Sequence, residues 1–339
     1  MARAKAYASG LVSGGKTPGC VIGAVEGGTA QCMSFGHSRV EPPVEWADDT
    51  LFGLDSVTKV FTAIMFADAV IGGLAESDPI DSYLPPGTQL KPCIRNKITL
   101  LMLANYTSQF PDYPSNEPRK DGRRDPSAYT IEEFKQYLED DFDPPPGKIG
   151  TSYLYSSLAF GLLGYILVNY YDLNDYQALV TERLTNPGLL DMPDTVAQLS
   201  PAQAARLAVG YQNGNPQPPL QPPPFLGGGG VLRSTGADML RFLNALITAS
   251  APGSLPQAFA KTQAETFFMP DHPGHGIGLG WFLWDAATQH WCAKNGGGSG
   301  FSAQIAFVPD RQAGLFAACN EEGVDFEPEF ARLLGMGPA

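Results

Sequence analysis

The sequence predicts an α+β fold: one antiparallel sheet built from both ends of the chain, flanked by helices, with a mostly helical domain inserted between. Strand-like runs cluster near residues 20–35 and again between 278 and 319, whereas apolar runs at helical spacing occupy the middle. The 339 residues exceed what one hydrophobic core usually holds. The division expected is 1–75 plus 227–339 for the sheet domain and 76–226 for the helical one.

Taken in order, residues 2–12 suit a short helix. Cys20-Val21-Ile22-Gly23-Ala24-Val25 and Ala30-Gln31-Cys32-Met33-Ser34-Phe35 flank a glycine turn and read as a hairpin. Leu54-Asp55-Ser56-Val57-Thr58-Lys59 opens an apolar helical run that stops at Gly72-Gly73. Ile98 to Ala104 reads as a helix capped by Thr99, 105–130 as a long polar loop, and Thr130-Ile131-Glu132-Glu133 as a capping box. Tyr155-Ser156-Ser157 precedes an apolar helix containing Gly161 and Gly164, and 175–210 carry further helical pattern. Residues 213–226 read as a proline-rich surface segment, 227–230 as a glycine turn and 238–248 as a helix. Strands are expected at 278–284, 291–294, 302–308 and 314–319, with a closing helix at about 326–335.

A net charge of −13 disfavours nucleic acid and anionic membranes as partners. No apolar stretch reaches about 18 residues, so no transmembrane segment is expected. The first residues lack the apolar core of a signal peptide, so the chain either stays inside the cell or had its signal removed. The five cysteines are widely spaced without a Cys-x-x-Cys pair, and their odd number leaves at least one thiol free.

Ser56 and Lys59 are the first chemical candidates. A serine at a helix start sits beside unpaired N–H groups and the positive end of the dipole. A lysine one turn on, walled by apolar residues, loses basicity and can accept or relay a proton. The pair alone leaves open a plain helix cap beside a solvated charge.

Other motifs fail on context. Gly10 to Thr17 matches the phosphate-loop spacing, but a helical segment precedes it and a strand follows, the reverse of a working loop. His272 and His275 sit in a proline- and glycine-broken stretch that fixes no metal geometry, so neither metal nor cofactor is expected. No Gly-x-Ser-x-Gly elbow occurs.

Three separated features then line up: Ser56-Val57-Thr58-Lys59, Tyr155-Ser156-Ser157, and Lys294-Asn295-Gly296-Gly297. Together they resemble the Ser-x-x-Lys, Tyr-x-Asn and Lys-Thr-Gly motifs of class C β-lactamases and low-molecular-weight penicillin-binding proteins. That superfamily also holds serine esterases and acyltransferases. Tyr106-Thr107-Ser108, Pro145-Pro146-Gly147, Gly229-Gly230-Val231-Leu232-Arg233-Ser234-Thr235 and Gly278-Leu279-Gly280-Trp281 extend the similarity from about residue 18 to 320.

The resemblance implies a β-lactamase/transpeptidase-like fold and two-step acyl transfer on a small-molecule acyl substrate. Ser56 would be the nucleophile and Lys59 would hold its proton network. Tyr155, with its acidity raised by Lys59 and Lys294, would serve as general base and then acid. The N–H groups of Ser56 and Gly297 would form the oxyanion hole. Lys294, Asn295, Gly296 and Ser157 would contact substrate, Lys294 adding positive potential for a carboxylate. Two departures stand out. Ser157 replaces the usual asparagine and has a shorter reach, and Asn295 replaces a hydroxyl residue that would grip a β-lactam carboxylate. Both leave the acyl-transfer groups in place and favour an ester, thioester or amide over an efficiently used β-lactam. The alternatives are a β-lactamase or D-amino-acid peptidase of the same fold, and a non-catalytic binding protein on this scaffold.

Overall fold

The computed structural model describes residues 1–120, 122–219, 225–269, 274–286 and 289–335. Three strands come from the start of the chain: β1 (Gly19–Glu26), β2 (Thr29–Arg39) and β3 (Val44–Glu45). Six come from its end: β4 (Phe267–Phe268), β5 (His275–Ile277), β6 (Phe282–Ala286), β7 (Gln289–Gly298), β8 (Phe301–Val308) and β9 (Ala313–Cys319). Among the described residues they form one nine-stranded sheet in the order β4-β5-β6-β7-β8-β9-β1-β2-β3. The two ends of the chain meet where β1 pairs antiparallel with β9, with Cys20 opposite Cys319.

Period-two alternation along β1 gives each sheet face its own core. Val21 and Val25 join the larger core, with Met239, Phe242 and Leu243 below. Cys20, Ile22 and Ala24 pack on the opposite face with Ala4, Ala8 and Phe330. Five of the helices frame the sheet and the site: α1 (Ala2–Ser13), α2 (Thr58–Ile71), α3 (Ser157–Tyr170), α4 (Gly236–Thr248) and α5 (Glu327–Leu333). Helix α2 is apolar almost all round and is buried from Thr58 to Ala69, as a central helix must be. Phe61 stacks on Phe242 at 4.2 Å, tying α2 to the helix beneath the sheet. No helix among the described residues is long and apolar enough to cross a membrane.

Several expected elements differ in detail. Ser56 lies in a 3₁₀ turn, Asp55–Val57, and α2 begins only at Thr58. Asp55 has φ 45°, a left-handed conformation that interrupts the helix start. The strand expected at 278–284 begins at Phe282, because Gly280 is left-handed (φ 75°) and lies against the Lys59 backbone. Helix in 175–210 is confined to Tyr176–Val180, a wider turn Thr181–Thr185, and Pro201–Ala204. Pro187, Pro193 and the left-handed Asp191 break the remainder. The 105–130 loop holds a short ladder of Arg119–Lys120 with Arg123–Arg124. His272 and part of the 213–226 segment lie outside the described residues.

Candidate active site

Three segments bring the motif residues together. The Asp55–Val57 turn delivers Ser56, with Val57 N donating to the Leu54 carbonyl at 2.9 Å. Lys59 follows in the first turn of α2 and is completely buried. Its Nζ donates to Ser56 Oγ at 2.9 Å, to Ser157 Oγ at 3.0 Å and to the Gly229 carbonyl at 2.5 Å. All three ammonium hydrogens thus have acceptors.

Tyr155 and Ser157 reach the site from the start of α3. Ser156 caps that helix, its Oγ accepting from Ala159 N at 2.8 Å. The Tyr155 phenol donates to Ser56 Oγ at 2.7 Å. Its ring stacks on Tyr106 with centroids 5.1 Å apart, which fixes the direction of the oxygen. The Ser157 hydroxyl reaches Lys59 despite its short side chain.

Lys294 lies on β7, is 1% exposed, and sits with Nζ 3.4 Å from the Tyr155 oxygen. The rings of Tyr155 and Phe282 each lie 4.7 Å from that nitrogen. Strand β6 pairs with β7 only as far as Ala293, so the second edge of β7 from Lys294 onward is left to the site. There Gly296 packs on the Ser56 turn: a Cβ added to it would fall 2.3 Å from the Leu54 carbonyl and 2.9 Å from Ser56 N. Gly297 and Ser56 line the same cavity. Asn295 is exposed and pairs with Gln304 across β7 and β8.

Burial dominates the electrostatics. It lowers Lys59 from its ordinary value to about 7, against the opposing pull of Asp112 and Asp55. Burial also lowers Lys294 to about 8; the Tyr155 oxygen opposes the change and the nearby Lys59 adds to it. Asp55 is pushed up to about 8 by burial and by Glu322, with Arg233 and Lys59 pulling the other way. Two ammonium groups beside one phenol and one serine form a set that can move a proton off Ser56 Oγ and hold the charge that results.

Two carboxyl groups at the site carried no motif. Asp112 accepts from Ser157 N at 2.8 Å and stands within electrostatic range of both lysines. It lies in the long loop after Pro111, where no spacing rule singles it out. Asp55, next to the proposed nucleophile, is distinguished only by its backbone. The cavity beside Ser56 has a volume of about 220 Å³, with Asp112, Tyr113 and Glu117 on one wall and Gly297 and Ser299 on the other. His37, His275 and His290 lie on sheet strands, and among the described residues no three His, Cys, Asp or Glu side chains converge on a point.

A family profile described as Beta-lactamase matches residues 4–334. The D-alanyl-D-alanine-carboxypeptidase/endopeptidase AmpH of Escherichia coli K12 is 28% identical over 324 residues, covering 91% of this chain and 81% of that protein. A Beta-lactamase of the same organism is 25% identical over 350 residues, covering 92% of this chain and 86% of that protein. Among solved structures, a class C beta-lactamase superposes with a TM-score of 0.84 at 18% identity, covering 100% of this chain and 96% of that one.

Proposed function

We propose that this chain, which belongs to the Beta-lactamase family, transfers acyl groups through an ester on Ser56 and prefers esters or thioesters to β-lactams. The observation that carries the reading is the double contact on Ser56 Oγ, from Lys59 Nζ at 2.9 Å and Tyr155 OH at 2.7 Å. In the acylation step the Tyr155 oxygen takes the Ser56 proton while Oγ attacks the substrate carbonyl carbon. For this transfer Tyr155 must start as the phenolate, its charge held by the Lys59 and Lys294 ammonium groups, and it becomes the neutral phenol on taking the proton; the carbonyl oxygen, turning negative, enters the N–H groups of Ser56 and Gly297. Collapse expels the leaving group, which takes the proton back from Tyr155. Water or another nucleophile repeats the sequence on the acyl-enzyme.

The substrate preference rests on what surrounds this set. The Ser157 hydroxyl is engaged by Lys59 at 3.0 Å, and Asn295 offers an amide where a carboxylate-gripping hydroxyl is usual. Each polar contact that a β-lactam fails to recover costs about 1–3 kcal/mol, or roughly ten- to a hundredfold in specificity. Peptidase action on D-amino-acid peptides is the second reading, supported by the similarity to AmpH over 91% of the chain.

The test is labelling with a fluorophosphonate, followed by specificity constants for p-nitrophenyl butyrate, nitrocefin and a D-Ala-D-Ala peptide. Ser56→Ala should abolish the label and lower turnover by at least about a thousandfold. Acylation that persists in Ser56→Ala sinks the nucleophile assignment. Faster use of nitrocefin or of the peptide than of the ester sinks the substrate preference alone.

A further inference from the structure

The seam where the two chain ends meet holds a pair of thiols that acyl transfer does not use. Cys20 on β1 and Cys319 on β9 stand directly opposite each other, and both are free. The Asn320 N–H donates to the Gly19 carbonyl at 3.3 Å, which makes the neighbouring pair of residues the hydrogen-bonded one. Cys20 and Cys319 therefore occupy a non-hydrogen-bonded position, where facing Cα atoms lie about 4.5 Å apart. That separation falls inside the range of about 4.4–6.8 Å that a disulfide spans. Both side chains are buried on the same face of the sheet, with Ala4, Ala8 and Phe330. The other three cysteines belong to the opposite core. Across the strands Cys32 faces Gly23, and Cys292 faces Leu283 and Phe307, so neither has a thiol opposite it.

The cover over the pair is thin. Cys20 Sγ donates to the Ala8 carbonyl of α1 at 3.5 Å, and Cys319 Sγ to the Glu321 carbonyl at 3.4 Å. Only Ala4 and Ala8 of the 12 residues in α1 are buried. A terminal helix held by two alanines opens at low cost. Burial pushes the Cys20 thiol up to about 12 and the Cys319 thiol up to about 11, so exchange proceeds from the opened end of the chain, where thiolates form.

We propose that Cys20 and Cys319 form a disulfide that clasps β1 to β9. The oxidant is a small-molecule disulfide such as oxidised glutathione. With α1 lifted, the Cys20 thiolate attacks one sulfur of the oxidant, and one glutathione thiolate leaves. The Cys319 thiolate then attacks the Cys20 sulfur of this mixed disulfide, and the second glutathione leaves. Two protein thiols lose two electrons to the oxidant, and their two protons go to the departing thiolates. The bond closes nearly the whole chain into one loop, so it restricts the unfolded state strongly.

The experiment exposes the full chain to oxidised or to reduced glutathione, both folded and during refolding from urea. Free thiols are then alkylated in denaturant, and the protein is digested without reduction for peptide mass mapping. The oxidised samples should yield a peptide pair joining Cys20 to Cys319, two hydrogen masses lighter than the two thiol peptides. Cys32, Cys93 and Cys292 should be recovered as alkylated thiols or glutathione adducts. The urea midpoint of the oxidised protein should exceed that of the reduced protein by about 0.5 M or more. In Cys319→Ala that oxidised-minus-reduced difference should vanish, whatever the variant's own stability. Recovery of Cys20 and Cys319 as alkylated thiols or adducts alone, in the folded and the refolding samples both, overturns the proposal without recourse to the variant. So does linkage of either one to a different cysteine. A joined pair that leaves the urea midpoint unchanged overturns the clasp.

Discussion

Ser56 Oγ receives two donors, and the two differ in what they can do next. Lys59 is locked by three acceptors, so moving it breaks the link among the Ser56 turn, α3 and the glycine turn. Tyr155 touches Ser56 on one side and Lys294 on the other, the position required of a group that passes a proton and then returns it. Tyr155→Phe should therefore leave the fold intact, because the ring remains stacked on Tyr106. Turnover of p-nitrophenyl butyrate should fall by about a hundredfold or more. A folded Tyr155→Phe protein with near-normal turnover removes Tyr155 from the mechanism and leaves Lys59, lowered to about 7, as the remaining base. Ser56, Lys59, Tyr155 and Lys294 were legible in the sequence because each sits in a short motif. Asp112 was not: its carboxylate matters through the Ser157 N–H it accepts, a contact 45 residues away in the chain.

At the level of elements, the glycine turn at 227–229 is a spacer whose lack of side chains sets the geometry of the lysine. A Cβ on Gly228 would lie 2.3 Å from the Phe160 carbonyl, and one on Gly229 would lie 2.6 Å from the Ser157 carbonyl. The turn therefore presses against the first turns of α3, and the Gly229 carbonyl arrives 2.5 Å from Lys59 Nζ. Gly229→Ala should push the two apart, destabilise the protein by about 1–3 kcal/mol as overpacking does, and lower turnover with it. Gly297→Ala is the control for steric cost, since its added Cβ would find nothing nearer than 3.8 Å. Thermal melts of the two variants check the contrast; equal stability would show that the turn relaxes freely. The glycines themselves were visible in the sequence, and so were the hairpin β1–β2, the burial of α2 and the capping box at Thr130. Their contacts were not visible, since they depend on which distant backbone each glycine meets. For the same reason the sequence placed a strand at 278–284, where Gly280 instead bends against the Lys59 backbone.

Across the whole molecule, the sheet closed by the two chain ends carries Lys294, while Ser56 and Tyr155 come from segments packed above it. Asp55, Lys59 and Lys294 are buried at this junction, and their linkage to folding has definite signs. Asp55 is raised to about 8 in the folded protein, so between about pH 4 and 8 the folded state holds a proton that the unfolded state has released. The unfolded state binds fewer protons there, and this group's contribution to stability falls as pH rises through that window. Lys59 and Lys294 are lowered to about 7 and about 8. Between those values and about 10.5 the unfolded state binds more protons, so their contribution rises with pH. The two trends meet near pH 7 to 8, where these groups together favour the folded state least. Asp55→Asn removes the first trend and keeps a side chain that tolerates the left-handed backbone at φ 45°. The stability of Asp55→Asn relative to the wild type should therefore climb between pH 5 and 8, by up to about 1 kcal/mol per pH unit, since one proton's difference has a slope of about 1.4. Urea denaturation at pH 5, 6, 7 and 8 measures it. A difference that stays flat across that range would show that Asp55 is already ionised in the folded protein, with its charge balanced by Arg233 and Lys59.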